Sequence, residues 1–236
     1  MSKVGVKAEK YAKLLHRILS EQNEEGKNSA EVALQQYENS EQSYAQILAR
    51  ISTAWKDMHH SIEVRELAAV KLLQYVEAQK SNEVGQVVVS YERDLVELIL
   101  PHLGDQNEEI REAYVNVIAV VVKRHWETLF PQVLPALITN LCSHLDTEVL
   151  GALAVIQRFY TQVSEKERFN CIKQVIPKLV DMISSNSSAS ECRIWAVKCI
   201  GSCVDRIGTF DDDTLNREVV NCFFYFLFLL QTVFRF

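Results

Sequence analysis

The chain has 236 residues, 48% apolar and 24% charged, a composition that excludes disorder as the default state and leaves room for a sizeable core. Seven Gly and four Pro are few for this length, and the abundant Ala, Leu, Glu, Gln and Lys fall at helical spacing, so the expected class is all-α. A formal charge of -6 argues against a phosphate-backbone binder, and no direct nucleic-acid contact is expected.

In chain order, the first helical segment is "LLHRILSEQNEEGKNSAEVAL", a leucine-rich helix, a polar turn and a second helix. Gly26 stands at the head of that second helix, where it costs about 1 kcal/mol relative to Ala, so a late or loose start is expected. Next, in "VRELAAVKLLQYVE", Val64, Ala68, Leu72, Tyr75 and Val76 line one side, with Glu66, Gln74 and Glu77 elsewhere. The same face returns as Ile110, Tyr114, Ile118 and Val121 in "IREAYVNVIAVVV". In "LFPQVLPALITNL" and "VIPKLVDMI", Pro131, Pro135 and Pro177 read as starts or kinks of helices whose neighbours absorb the bend. The last such segment, "CRIWAVKCIGSCV", is expected to bury Ile194, Val197, Ile200 and Val204. The turns are "GDQNEE", "SHLDTE" and "SSNSSASE".

Lys27, Arg65, Arg111, Leu150 and Arg193 occupy equivalent places in these segments and recur about every 40 residues. Such a period of two helices is the signature of an α-solenoid, here of about five helix pairs, an armadillo-like α-α superhelix in which stacking supplies the core no pair could form alone. The six cysteines, Cys142, Cys171, Cys192, Cys199, Cys203 and Cys222, form no C-x-x-C pair and follow no secretory leader. They read as reduced, mostly buried thiols of a cytosolic or nuclear protein.

Repeats of this length with Val or Ile followed by Arg at the head of the second helix resemble HEAT repeats. More specifically, "VRELAAVKLLQYVEAQ" together with "HWETLFPQVLPAL" resembles the N-terminal part of the importin-β (karyopherin-β) family, nuclear transport receptors that bind the GTPase Ran in its GTP form. Arg65, Leu67, Ala68, Ala69, Leu72, Gln74, Tyr75, Val76 and Glu77 are similar to the importin nine branch almost position by position. His125, Trp126, Leu129, Phe130, Pro131 and Gln132 resemble a family Trp-Pro turn in which Glu127 and Phe130 depart from the pattern. Lys80 stands where the family has Trp. The resemblance runs from about residue 8 to about residue 207. It implies a start of the first repeat over residues 1–28, a Ran-binding region over 29–105 and further HEAT repeats over 106–207. It also implies shuttling between cytoplasm and nucleus, import cargo that for this branch includes core histones, and nucleoporins as further partners.

The family binds Ran with its second helices, which places Leu67, Lys71, Gln74 and Ala78 as contact residues, against the alternative of an ordinary solvated face. Lys27, Arg65, Arg111 and Arg193 are expected to be structural, each Arg pairing with an acid in a neighbouring turn. Trp126, Phe130 and Pro131 read as packing anchors, with a phenylalanine-glycine peptide pocket as the alternative. His59 and His60 lack partners at ligand spacing, so no metal is expected, and no cofactor. Cys199, Cys203 and His125 could be imagined as a Cys-His nucleophile, but no nucleophile elbow or phosphate loop accompanies them and an enzyme is not expected. The end of the chain, 208–236, is an acidic loop and an aromatic tail, "CFFYFLFLLQTVFRF". Its unbroken apolar run is too short to span a bilayer, and it reads as the product of truncation or alternative splicing. The alternative to a transport receptor is a HEAT scaffold that assembles a phosphatase, kinase or chromosome-associated complex without Ran.

Overall fold

The computed structural model describes residues 3–40, 43–53, 61–79, 86–162, 165–184, 189–204 and 224. Among the described residues are ten α-helices and no strand: α1 (Lys3–Ser20), α2 (Glu24–Ser40), α3 (Tyr44–Thr53), α4 (Ile62–Ala78), α5 (Gln86–Ile99), α6 (Glu108–Arg124), α7 (Trp126–Leu141), α8 (Asp146–Gln162), α9 (Glu165–Ser184) and α10 (Ser190–Val204). A 3-10 turn, Leu100–His102, follows α5. In sequence these are five successive helix pairs, and the chain is an all-α array. It divides into two compact units, Met1–Val121 and Val122–Phe236. The boundary expected between residues 28 and 29 falls inside α2, and the one between 105 and 106 falls in the turn before α6.

Local chemistry sets the helix starts. The Asn23 side chain accepts the Glu25 N–H at 3.2 Å, and Glu24 and Glu25 bring negative charge to the positive end of α2. That cap starts α2 ahead of Gly26, not later as the glycine alone would suggest. A Cβ on Gly26 would lie 2.8 Å from the Glu21 side chain, so the missing side chain lets Glu21 fold across the first turn. In the turn before α6 the Asn107 carboxamide accepts the Ile110 N–H at 2.9 Å, a second N-terminal cap.

In the first unit α3 packs on α1, α4 and α5, and α1 also packs on α2 and α4. This central placement explains why α3 buries Tyr44, Ala45, Ile47, Leu48, Ala49, Ile51 and Ser52, a nearly all-round apolar surface. The facing side of α4 is Val64, Ala68, Ala69, Leu72 and Val76, whose two alanines leave room for close approach. Each buried leucine on these faces contributes about 1.5–3 kcal/mol.

In the second unit α7 packs on α8 and α9, and α10 packs on α8 and α9. Pro131 and Pro135 sit inside α7, both exposed, and Pro177 sits inside α9. One face of α10 departs from expectation: Ile194 is 55% exposed, while Cys192, Ala196, Cys199 and Ile200 are buried. The Val204 side chain lies outside the described residues. The reason is the closeness of α8, since Cys199 Sγ donates to the Leu153 carbonyl at 3.5 Å. A backbone that near accommodates Ala and Cys, whereas a β-branched side chain there would overpack. Because α10 is apolar nearly all round, the spacing of its apolar residues did not single out that side.

Candidate functional site

Arg65 anchors the most buried polar cluster of the first unit. It stands near the start of α4 with only 4% of its surface exposed, and its Nη2 pairs with Asp105 Oδ2 from the α5–α6 turn. Its Nε donates to the Ser52 carbonyl at the end of α3, at 2.9 Å. The other Asp105 oxygen accepts the Asn107 N–H at 3.0 Å, and Arg111 Nη1 donates to the Asp105 carbonyl at 2.6 Å and the Gln106 carbonyl at 3.1 Å. One carboxylate therefore ties α4 and the end of α3 to the head of α6. Burial holds the His102 imidazole beside this cluster below its usual range, opposed by the Asp105 charge and reinforced by Arg65. Arg111 donates to main-chain carbonyls of its own turn, and among the described residues the expected pairing with an acid of a neighbouring turn is seen at Arg65. Lys27 and Arg193 are half-buried near the starts of α2 and α10.

On α4, Leu67 and Lys71 are half-buried and Gln74 and Ala78 exposed, a continuous stripe on the side not occupied by Val64, Ala68 and Leu72. Val70, 36% exposed, adds apolar surface beside it. The stripe carries one positive charge and no cluster of catalytic groups.

In the second unit Trp126 and Phe130 stack with centroids 4.0 Å apart, and Phe159 of α8 meets both rings edge-on at 5.4 and 5.8 Å. Both are nearly fully buried, at 6% and 5% exposure, so they pack as anchors. Their remaining edges, with Pro131, Leu134, Pro135, Ile138 and Gln174 of α9, line an open groove of about 500 Å³. Anchor and groove wall are thus the same side chains.

The thiols Cys192 and Cys199 are pushed up to about 11 and about 12, in both cases first by burial, and Asp146 adds to the shift at Cys192. Such thiols stay protonated and unreactive at neutral pH. The side chain of Cys203, residues His59 and His60, and the tail other than Phe224 lie outside the described residues. Phe224 is 63% exposed.

Sequence reasoning missed a tyrosine cluster. Tyr11, Tyr37, Tyr44, Tyr75 and Tyr91 come one each from α1 to α5. Ring centroids are 4.8 Å apart for Tyr11 and Tyr37, 5.9 Å for Tyr11 and Tyr44, and 5.2 Å for Tyr44 and Tyr75. The Tyr91 hydroxyl accepts the Gln46 N–H at 3.4 Å, and burial pushes its phenol up to about 12. No spacing within one helix announces this cluster, because each helix contributes a single residue.

Among solved structures, the chain superposes with a TM-score of 0.74 on a chain of the Kap95:Nup1 complex, at 14% identity, over all of this chain and 27% of that one. It superposes at 0.66 and 13% identity on yeast importin-β (Kap95p), over 99% of this chain and 30% of that one. With Kap95p in a structure in which it induces the switch loops of RanGDP to adopt the GTP-bound conformation, the score is 0.60 at 14% identity, over 98% and 29%. At these identities the likeness is one of fold, and the chain spans less than a third of the structures it matches. No curated protein matches the sequence. Residues 20–188, most of the chain and the helices from α2 to α9, match the EF3 N-terminal HEAT repeat, and the chain belongs to that family.

Proposed function

We propose that this chain is the N-terminal, Ran-binding part of a nuclear transport receptor of the importin-β kind, closest to the importin nine branch. The observation that carries the reading is the superposition of the whole chain on a segment of Kap95 at a TM-score of 0.74. In support, Leu67, Lys71, Gln74 and Ala78, which the family resemblance implies for Ran contact, form one continuous stripe on α4 away from Val64, Ala68 and Leu72. The mechanism is linkage. RanGTP and cargo bind one solenoid with negative coupling, so cargo is taken up where RanGTP is scarce and released in the nucleus. Core histones are the cargo class implied by the branch. The groove along α7 offers an apolar cleft for nucleoporin segments, in line with the Nup1 complex among the structural neighbours.

The test is a titration of the whole chain against Ran loaded with a non-hydrolysable GTP analogue and, separately, with GDP. Saturable binding selective for the GTP form is expected, with Lys71→Glu weakening it about tenfold, or about 1.4 kcal/mol. Equal or absent binding to both forms by a helical, monomeric sample would overturn the reading. A second reading, a HEAT scaffold that assembles a phosphatase, kinase or chromosome-associated complex without Ran, is favoured by a family match that specifies HEAT repeats and no transport receptor. It gains if the Ran titration is flat.

A further inference from the structure

We propose that the groove along α7 is a seat for a segment of this same chain, the triplet Phe234, Arg235 and Phe236, with Arg235 set beside the Glu127 carboxylate and a phenylalanine ring laid against Trp126 and Phe130. The proposal stands independently of the Ran reading.

The groove dictates the chemistry of whatever fills it. Trp126, Phe130, Leu134 and Ile138 follow one another four residues apart on α7 and all line the groove, so they form one ridge about 18 Å long. The first two rings lie almost parallel, 13° apart, and Phe159 meets both at steep angles, so their edges are what the groove receives. A ring edge carries the positive part of the aromatic quadrupole and a ring face the negative part, so exposed edges favour an incoming aromatic ring presented by its face. Pro131 and Pro135, both exposed, add apolar surface beside the ridge. Among the described residues that line the groove, the charged one is Glu127, exposed on the first turn of α7. The arrangement therefore suits a short segment in which aromatic rings stand next to a cation. A volume of about 500 Å³ falls in the range of pockets that hold such small occupants.

The chain carries that pattern itself. Its aromatic stretch from 222 to 236 holds one basic residue, Arg235, with a phenylalanine on either side. The aromatic run 222–226 offers rings but no charge for Glu127, and Phe224 is 63% exposed and lines no part of the groove. Distance is no obstacle. α7 and α10 both pack on α9, and packed helices stand about 8–10 Å apart, which sets the groove about 20 Å to the side of α10. Residues 205–233 would span about 40 Å even if wound as a single helix. A groove filled in this way is closed to other aromatic peptides until they displace the triplet.

The experiment places the photocrosslinker p-benzoylphenylalanine at position 236 of the whole chain and maps the products of irradiation by mass spectrometry. Cross-links to residues 126–138 within one monomeric chain are expected. Glu127→Arg is expected to lower their yield about threefold, and Arg235→Glu to do the same without altering any helix described above. Combining the two restores the opposite charges, and with them at least half of the original yield. Cross-links that fall elsewhere in the chain would overturn the proposal. So would cross-links confined to covalent dimers, which would make a second copy the occupant, or a yield that neither charge reversal changes.

Discussion

Replacing Asp105 by alanine removes one side chain and two connections. The Arg65 guanidinium loses this carboxylate, and with it the α5–α6 turn loses its tie to α4, while the Asn107 N–H loses its side-chain acceptor. Arg65 keeps the Ser52 carbonyl at 2.9 Å, but with 4% of its surface exposed it cannot recover hydration without the helices parting. Breaking a buried pair by removing one partner costs about 3–5 kcal/mol, a large part of the 5–15 kcal/mol that holds a typical domain together. With a urea slope of about 2 kcal/mol/M, the transition that reports the first unit should move down by about 2 M. The exposed pair Lys13–Glu9 on α1 has an ordinary 3.0 Å separation yet 76% and 50% exposed side chains, and Glu9→Ala should cost less than about 1 kcal/mol. Urea titrations by circular dichroism, with hydrogen exchange over 100–111 to localise the loss, make the comparison. The double replacement Arg65→Met with Asp105→Leu should recover most of the stability, since apolar pairs of similar volume substitute for buried ion pairs. A loss from Asp105→Ala no larger than that from Glu9→Ala would refute the argument that burial, not charge pairing as such, gives this contact its weight.

Three further outcomes are expected. Phe130→Ala removes the ring stacked on Trp126 and should cost the second unit about 3–5 kcal/mol, with a red shift in tryptophan emission; an unchanged midpoint would show that the groove collapses to fill the space. Brief alkylation of the native protein at pH 8, mapped by mass spectrometry, should label exposed Cys142 well before Cys192 and Cys199, and comparable labelling of Cys199 would contradict its burial. The folded-state pKa of His102 is lowered, so the unfolded chain binds that proton more readily. The stability it contributes is present above the ordinary histidine range near 6.5 and lost as pH falls through the folded value. Wild type should therefore lose more stability than His102→Gln between pH 7 and 5, and parallel profiles would refute the assignment.

Features carried by spacing along one helix were legible in the sequence. The recurrence of Lys27, Arg65, Arg111, Leu150 and Arg193 gave the helix pairs, and Ile110, Tyr114, Ile118 and Val121 are all buried as their spacing implied. Features created by neighbours were not. Ile194 is expected inward as part of the recurring face with Val197, Ile200 and Val204, yet the nearness of the Leu153 carbonyl favours a smaller side chain on the packed side. Nothing within α4 says that the acid for Arg65 stands 40 positions away, although the turn "GDQNEE" held it in view. The candidate stripe on α4 could be drawn from sequence as a face, but its meaning depends on a partner that composition does not specify.

The two prolines inside α7 bear on the order in which the chain is made into structure. Each costs an isolated helix about 3 kcal/mol, so α7 on its own is disfavoured by about 6 kcal/mol, more than its intrinsic propensity can offset. Emerging from a ribosome, this segment should remain uncoiled until α8 is available to receive Trp126 and Phe130 against Phe159. The prolines thus postpone one helix until its successor arrives, and assembly of the second unit runs backwards from α8 onto α7 while synthesis runs forwards.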